Sequence, residues 1–555
     1  MLMSGAQAVI ASLKAEGVEL VFGYPGGSAL PLYDALYDSG ITHILTRHEQ
    51  GAAHAADGYA RATGKVGVCL STSGPGATNL VTGIATANMD SVPMVFITSQ
   101  VSTSLIGKDS FQEADITGIT TPITKHNFLV KRPQDLLKYM KQAFYIARTG
   151  RPGPVLIDIP KDIATAEIDF VYPENINLRG YVPIFEGEEC KIRQVADAIK
   201  QAKRPVFFIG GGVNMAGVWS DFSALVEKTG IPVVSSLMGL GAFPSQHELH
   251  LGMVGMHGTF AANQSVTNAD LLIGIGVRFD DRVTGMVSKF APHALIVHLD
   301  IDPAEINKNV PTDIRVVGHL KWSLPLLNQM VERGDYQDWV AQVLDWKGKH
   351  PLKYEASEDS IKPQSVVQAI SDLTSGEGFI VTDVGQHQMW TAQYYSFKNP
   401  RSFITSGGLG TMGFGLPAAI GVQLGNPDKL VWAVSGDGSI LMNIQEIATA
   451  VEHNIPIKVA VLNNRGLGMV RQWQRMFYHK RYSASKHEAG TDIARVAEAF
   501  GAKGIRVEKP QDLLPALKEA MDCTGPVIMD IWVSEEEDVL PMVPAGAPLH
   551  EMIGG

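Results

Sequence analysis

Cysteine is scarce: Cys69, Cys190 and Cys523 stand far apart in 555 residues and are odd in number. Neither a disulfide framework nor a thiolate metal site follows from that set, which points to a reducing compartment. Long apolar runs are missing as well. No stretch approaches the roughly 20 residues that a membrane helix needs. The start, MLMSGAQAVIASLKAEG, lacks the apolar run and small-residue cleavage site of a signal peptide and reads as an amphipathic helix. Positive charge is in deficit, with 46 Lys and Arg against 57 Asp and Glu and a formal net charge of −11. That balance argues against a nucleic-acid binder, which needs clustered cations. It leaves small anionic ligands open, since glycine loops and single cations can hold them. No short repeat period appears, which argues against a solenoid. A soluble, cytoplasmic protein is expected.

What the chain does have is glycine (56 residues) and an ordinary 45% of hydrophobic residues, in a length that calls for about three cores. Apolar strands alternate with helical patterns from end to end, as at Val66 to Ser71, Met94 to Thr98, Val155 to Ile159, Val206 to Ile209, Leu271 to Ile275 and Ile296 to Leu299. This alternation predicts α/β architecture: doubly wound parallel sheets with helices on both faces. Residues 164–188 and 333–362 break the rhythm, being mostly polar, and read as linkers; part of the second is helical. Three doubly wound domains are therefore expected at 1–165, 188–332 and 363–536, with a proline-rich tail at 537–555 that either folds over a neighbouring surface or stays mobile.

The most informative segment runs from Gly436 to Asn464. A strand (Leu430 to Val434) enters Gly436-Asp437-Gly438, a helical stretch follows, and a second strand (Ile457 to Leu462) ends in Asn463-Asn464. Asp437 and Asn464 are 27 residues apart, one strand–helix–strand crossover, so a parallel sheet brings them side by side at its carboxyl edge. A carboxylate and an amide oxygen there suit magnesium, which completes its shell with phosphate and water. Gly438 lets backbone approach a diphosphate, and the next helix offers its positive end.

This pattern resembles that of thiamine diphosphate enzymes, and over nearly its whole length the chain resembles the catalytic large subunits of the acetohydroxyacid (acetolactate) synthase family. The resemblance implies thiamine diphosphate, Mg2+ and FAD as cofactors, and pyrimidine-binding, FAD-binding and diphosphate-binding domains in that order. It makes Asp437, Asn464 and the Gly466 carbonyl the metal ligands. Gln386 and His387, in TDVGQHQMW, would hold the diphosphate, with Gly410, Gly436, Gly438, Ser439 and Met469 around the cofactor. Met412, which by residue type is ordinary core, would wedge beneath the cofactor and bend it, an orientation effect.

By itself Glu49, at a strand–helix junction in RHEQGA, reads as a first-turn glutamate worth about 0.3–1 kcal/mol to the helix dipole. The resemblance makes it the essential acid that promotes proton loss from the cofactor's thiazolium carbon. Gly26 (FGYPGGS), Phe111 and Gln112 (DSFQEAD) and Lys161 would then face the reacting carbon or the substrate, Gly26, Gln112 and Lys161 as part of the catalytic set. In the middle domain, FFIGGGVNMAG is a dinucleotide-like loop but not a GxGxxG fingerprint. The resemblance assigns flavin contacts to Gly210, Gly211, Gly212, Arg151, His257, Arg278 and Asp300, and gives Arg278 the second substrate's carboxylate too. His319 departs from the family, which usually has an acidic residue there, so altered flavin affinity is expected. Met469, Val470 and Trp473 share one apolar face, usually a core stripe; in the family Trp473 would restrict the second 2-oxo acid.

The implied reaction is decarboxylation of pyruvate and ligation to pyruvate or 2-oxobutanoate, giving branched-chain amino-acid precursors. A cofactor between two chains is implied, hence a homodimer or dimer of dimers; a small regulatory subunit is left open. Alternatives are a related carboligase such as sulfoacetaldehyde acetyltransferase, a flavin-dependent pyruvate oxidase, or a non-catalytic homologue. Glyoxylate carboligase fits poorly because it lacks the glutamate at Glu49. Substitution Glu49→Gln is expected to lower the steady-state rate by about 10²–10⁴-fold, the usual worth of general acid–base help, with the far-UV circular dichroism unchanged.

Overall fold

The apolar runs pair as parallel strands in the structure, a computed structural model that describes residues 1–554. The first sheet orders Thr42–Leu45, Leu20–Tyr24, Gly67–Ser71, Met94–Gln100, Pro154–Pro160 and His126–Leu129. The middle sheet orders His250–Met253, Val233–Ser235, Pro205–Ile209, Leu271–Ile275, Leu295–Asp300 and Ile314–Val317. The third orders Phe403–Ile404, Phe379–Thr382, Val431–Gly436, Lys458–Asn463, Val527–Trp532 and Lys503–Val507. Central strands such as Met94–Gln100 and Pro205–Ile209 are buried along their whole length, because helices cover both faces. Among the described residues no helix is long and apolar enough to cross a membrane.

The chain start differs from expectation. The helix covers only Gly5–Ala15, because Ser4 and Gln7 form a reciprocal capping box that fixes its first turn. Leu2–Ser4 is instead a strand, antiparallel to Glu167–Asp169 from the polar 164–188 stretch. Farther along that stretch, Phe170, Tyr172, Leu178 and Tyr181 pack on the first domain's core. Within 333–362 the helix Gln337–Lys349 buries Trp339 and Val343 in the middle domain. The tail folds over its neighbours: Val539, Met542, Val543 and Leu549 are buried, and Val543 N–H donates to the Met256 carbonyl.

First and third domains dock through two helices, Glu49–Thr63 and Gly415–Gly425. Backbones meet here with no room for side chains. A methyl at Gly421 would lie 1.8 Å from the Ala55 carbonyl oxygen, and one at Gly58 2.2 Å from that of Ala418. Gly421→Ala must push the helices apart, at a cost of about 1–3 kcal/mol; the denaturation midpoint is expected to fall accordingly in a urea titration.

Candidate active site

At the carboxyl edge of the third sheet, Gly436 pairs in parallel register with Leu462. Asp437 and Asn464 follow from these neighbouring strands, each 6% exposed. The Gly466 N–H hydrogen-bonds the Asp437 carboxylate, which brings two of the three expected metal-holding positions into contact. Burial pushes the Asp437 carboxyl above its ordinary range, partly offset by His487, whose Nδ1 lies 2.7 Å from Asp437 Oδ2. Asn464 Nδ2 donates to Gln386 Oε1 at 3.3 Å, which leaves its own oxygen as an acceptor. Among the described residues no cluster of three His, Cys, Asp or Glu could hold a metal. One carboxylate, one amide oxygen and a backbone carbonyl remain, a hard-oxygen set of the kind magnesium takes.

A cradle surrounds this edge. A methyl on Gly468 would fall 2.1 Å from Gln386 Oε1, and one on Gly436 3.1 Å from His387 Nδ1. Ser439 Oγ accepts the Gly436 N–H at 3.1 Å and ties the turn. The His387 ring hydrogen-bonds the Asp383 backbone, yet its Nε2 is buried with no partner. Burial pushes that histidine down to about 3, so it is neutral at pH 7. Neutral and donating its one N–H to the Asp383 carbonyl, the ring offers Nε2 as an acceptor, so an anionic ligand brought against these glycines must carry a proton of its own or protonate the ring.

Met412 is half-buried in a loop with positive φ at Gly410 (71°) and Gly413 (86°). Asp383, fully buried, holds that loop: its Oδ1 accepts the Gly413 N–H at 2.8 Å and its Oδ2 the Gly415 N–H at 3.1 Å.

In the first domain, Glu49 opens the helix Glu49–Thr63 and is 7% exposed. Asn79 Nδ2 donates to its Oε2 at 2.9 Å, and Gly76 passes so close that a methyl there would lie 3.0 Å from Oε1. Gly26 backs onto Thr72, whose buried hydroxyl has no partner. Gln112 holds a left-handed conformation (φ 58°) against Gly74; Phe111 is 89% exposed, and Lys161 is exposed at the start of the helix Lys161–Thr165.

One large cleft, about 1550 Å³, lies where the first, middle and third domains meet. It is lined by Arg151, Gly210, Gly211, Gly212, His257, Arg278 and Asp300, and also by Gly410, Met469 and Trp473. Ordinary small-molecule sites run to about 300–1,000 Å³, so this one accommodates a ligand of dinucleotide size. His257 is buried with Nδ1 unpartnered. Arg151 is already committed to Glu305 (2.5 Å) and Asp302 (3.2 Å). Gly210 and Gly212 are glycines because Gly276 packs on them, with 2.2 Å and 2.6 Å left for a methyl. His319 Nδ1 accepts the Lys321 N–H at 3.1 Å and caps the next helix, which an acidic residue would also do. None of Gly26, Glu49, Phe111, Gln112 or Lys161 lines the cleft.

Models of thiamine pyrophosphate enzymes match the chain in three segments. The N-terminal TPP-binding domain matches residues 3–119, the central domain 192–327 and the C-terminal TPP-binding domain 383–531. The acetolactate synthase isozyme 3 large subunit of Escherichia coli is 48% identical, over 99% of this chain and 98% of its own. The acetolactate synthase large subunit of Corynebacterium glutamicum is 50% identical, over 98% and 89%. The chain belongs to the acetolactate synthase large-subunit family of thiamine pyrophosphate enzymes. A probable large subunit of Methanocaldococcus jannaschii is 49% identical over 99% and 95%.

Within this member of the acetolactate synthase family, several groups at the site carry no local signature. Asn79 reaches Glu49 from 30 residues away. Asp90 accepts the Gly407 and Gly408 N–H groups (3.1 and 2.7 Å), anchoring the loop that leads to Met412, and is itself paired with buried Arg61 at 3.0 Å. Asp383 is also of this kind, and burial pushes it up to about 6. A raised carboxyl binds a proton in the folded chain that the unfolded chain has lost. Its contribution to stability therefore falls as pH rises from about 4 to about 6. The stability difference between wild type and Asp383→Asn, from denaturation of the apoprotein, is expected to shrink over that window.

Proposed function

We propose that this chain is the catalytic subunit of an acetolactate synthase. It would remove carbon dioxide from pyruvate and join the remaining two-carbon unit to the carbonyl carbon of a second 2-oxo acid, pyruvate or 2-oxobutanoate. The products are 2-acetolactate and 2-aceto-2-hydroxybutanoate. The observation that carries this reading is identity of 48–50% over nearly the whole chain to acetolactate synthase large subunits, joined to the Asp437–Asn464 edge.

Thiamine diphosphate, when bound, supplies the carbon nucleophile that takes up the electron pair left by carbon dioxide. Gln386, His387 and the glycine turn Gly436–Gly438 would hold its diphosphate, with Mg2+ on Asp437, Asn464 and the Gly466 carbonyl. Glu49, kept in place by Asn79 and close to Gly76, would exchange a proton with the pyrimidine. The Asp383-pinned loop would keep Met412 beneath it, and Trp473 would narrow the space for the second 2-oxo acid. Support for FAD is the large cleft that gathers Arg151, Gly210, Gly211, Gly212, His257, Arg278 and Asp300. Arg278 Nη1 donates to the Met89 carbonyl at 2.7 Å, which leaves its other nitrogens for an anionic substrate.

The Glu49 group lies away from this cleft, which supports a site completed by a second copy of the chain, in a homodimer or a dimer of dimers. The relatives' description as large subunits supports a smaller partner. Purified protein given thiamine diphosphate, Mg2+, FAD and mixed 2-oxo acids is expected to yield both hydroxy-oxo acids by mass spectrometry. Acetate formation with reduction of the flavin on the turnover timescale would overturn the reading.

A further inference from the structure

One buried carboxylate near the site has no part in the scheme above. Glu446 opens the third-domain helix Glu446–Glu452 and is fully buried. Its side chain does not face its own domain. Oε1 and Oε2 accept the Arg47 N–H at 3.0 and 3.2 Å, and the His48 N–H is a further donor. Those amides form the strand–helix junction immediately before Glu49. Gly51, in the first turn of the helix Glu49–Thr63, is pressed on this carboxylate: a methyl there would lie 2.3 Å from Glu446 Oε1. Thr449 Oγ1 donates to Oε2 at 2.7 Å and aims the group from its own helix. Glu452, from that helix, pairs with the Arg47 guanidinium, so both the backbone and the side chain of the junction are gripped.

Burying a carboxylate is costly unless its oxygens are well satisfied. Burial does push Glu446 up, to about 7, with Thr449 and the junction amides pulling the other way. An acid kept there at that cost must do something a small apolar residue would not. His48 is the N-cap of the helix Glu49–Thr63 and Arg47 precedes it, so a carboxyl that accepts both N–H groups fixes the path by which the chain enters the first turn.

We propose that Glu446 is a positioning residue which, from the third domain, clamps the Arg47–His48 amides and thereby sets the direction in which Glu49 presents its carboxyl. The inference rests on the reading of Glu49 as the acid that meets the cofactor. Reacting groups tolerate little error, since a displacement near 1 Å costs about 10²-fold in rate.

The test compares Glu446→Gln, Glu446→Ala and Glu49→Gln with wild type. Backbone amide hydrogen exchange is read in the apoprotein, and kcat and the KM values for thiamine diphosphate and pyruvate in the loaded enzyme. In both Glu446 variants the peptide spanning residues 45–52 is expected to exchange about tenfold faster, with the helix Gly415–Gly425 unchanged, as for a local opening. The accompanying loss is expected in kcat, about 10–100-fold, with both KM values held within about threefold. Wild-type kcat and exchange in Glu446→Gln, beside an inactive Glu49→Gln, would overturn the clamp alone. Full activity in Glu49→Gln would overturn the underlying reading instead. Exchange accelerated across the whole chain would make Glu446 a general stabiliser and also overturn the clamp. If the Glu446 variants fail to fold, Thr449→Val, which removes the aiming hydroxyl, decides by the same readouts, and unchanged exchange at 45–52 counts against the clamp.

Discussion

The site depends first on a register. Because Val431–Gly436 and Lys458–Asn463 run parallel with Gly436 opposite Leu462, the residues just past each strand emerge on one edge. An acid after one strand and an amide after the other become neighbours without any further instruction. A slip of one residue would turn every strand side chain to the opposite face of the sheet and part them. Strand cores buried on both faces make such a slip prohibitive, so the apolar runs that build the sheet also bring Asp437 and Asn464 to one edge.

A second layer of order is polar and crosses domains. Asp383 holds the Met412 loop within the third domain. Asp90 of the first domain holds the Gly407–Gly408 stretch just before that loop. Glu446 of the third domain in turn meets the junction before Glu49 of the first. Each is a carboxylate that accepts backbone N–H groups, and each is buried, where an unpaired acceptor would cost about 1–3 kcal/mol. Backbone donors fix a loop by direction as well as distance. Apolar packing alone would leave these loops free to slide.

How much of this was legible in the sequence follows from distance along the chain. Asp437 and Asn464 could be paired in advance because a crossover length separates them, and the three parallel sheets followed from alternating apolar runs. The residues that the resemblance assigns to a flavin span 151 to 300 in the sequence, too far apart for any local pattern, and the structure gathers them in one cleft. Asn79, Asp90 and Glu446 were not found, because their partners lie 30, 317 and 399 residues away and a lone Asn, Asp or Glu on a helix looks like any surface polar residue. The strand Leu2–Ser4 was missed for the same reason: its partner, Glu167–Asp169, sits in a stretch too polar and too short to announce a sheet.

The tail shows why an aperiodic, proline-rich segment need not be loose. Its polar groups are satisfied by loops rather than by a helix or sheet of its own. Gln472 Oε1 accepts the Val539 N–H at 3.0 Å, and Val543 N–H reaches the Met256 carbonyl at 2.7 Å. His257, on the cleft wall, hydrogen-bonds the backbone at Pro541. The same strap thus touches the Gly468–Phe477 helix, which carries Met469 and Trp473, and the middle-domain loop that carries His257. Two walls of the cleft come from different domains, and a segment bonded to both sets the spacing between them. Proline suits that task, because its fixed φ lowers the entropy lost when an irregular segment is held in one path.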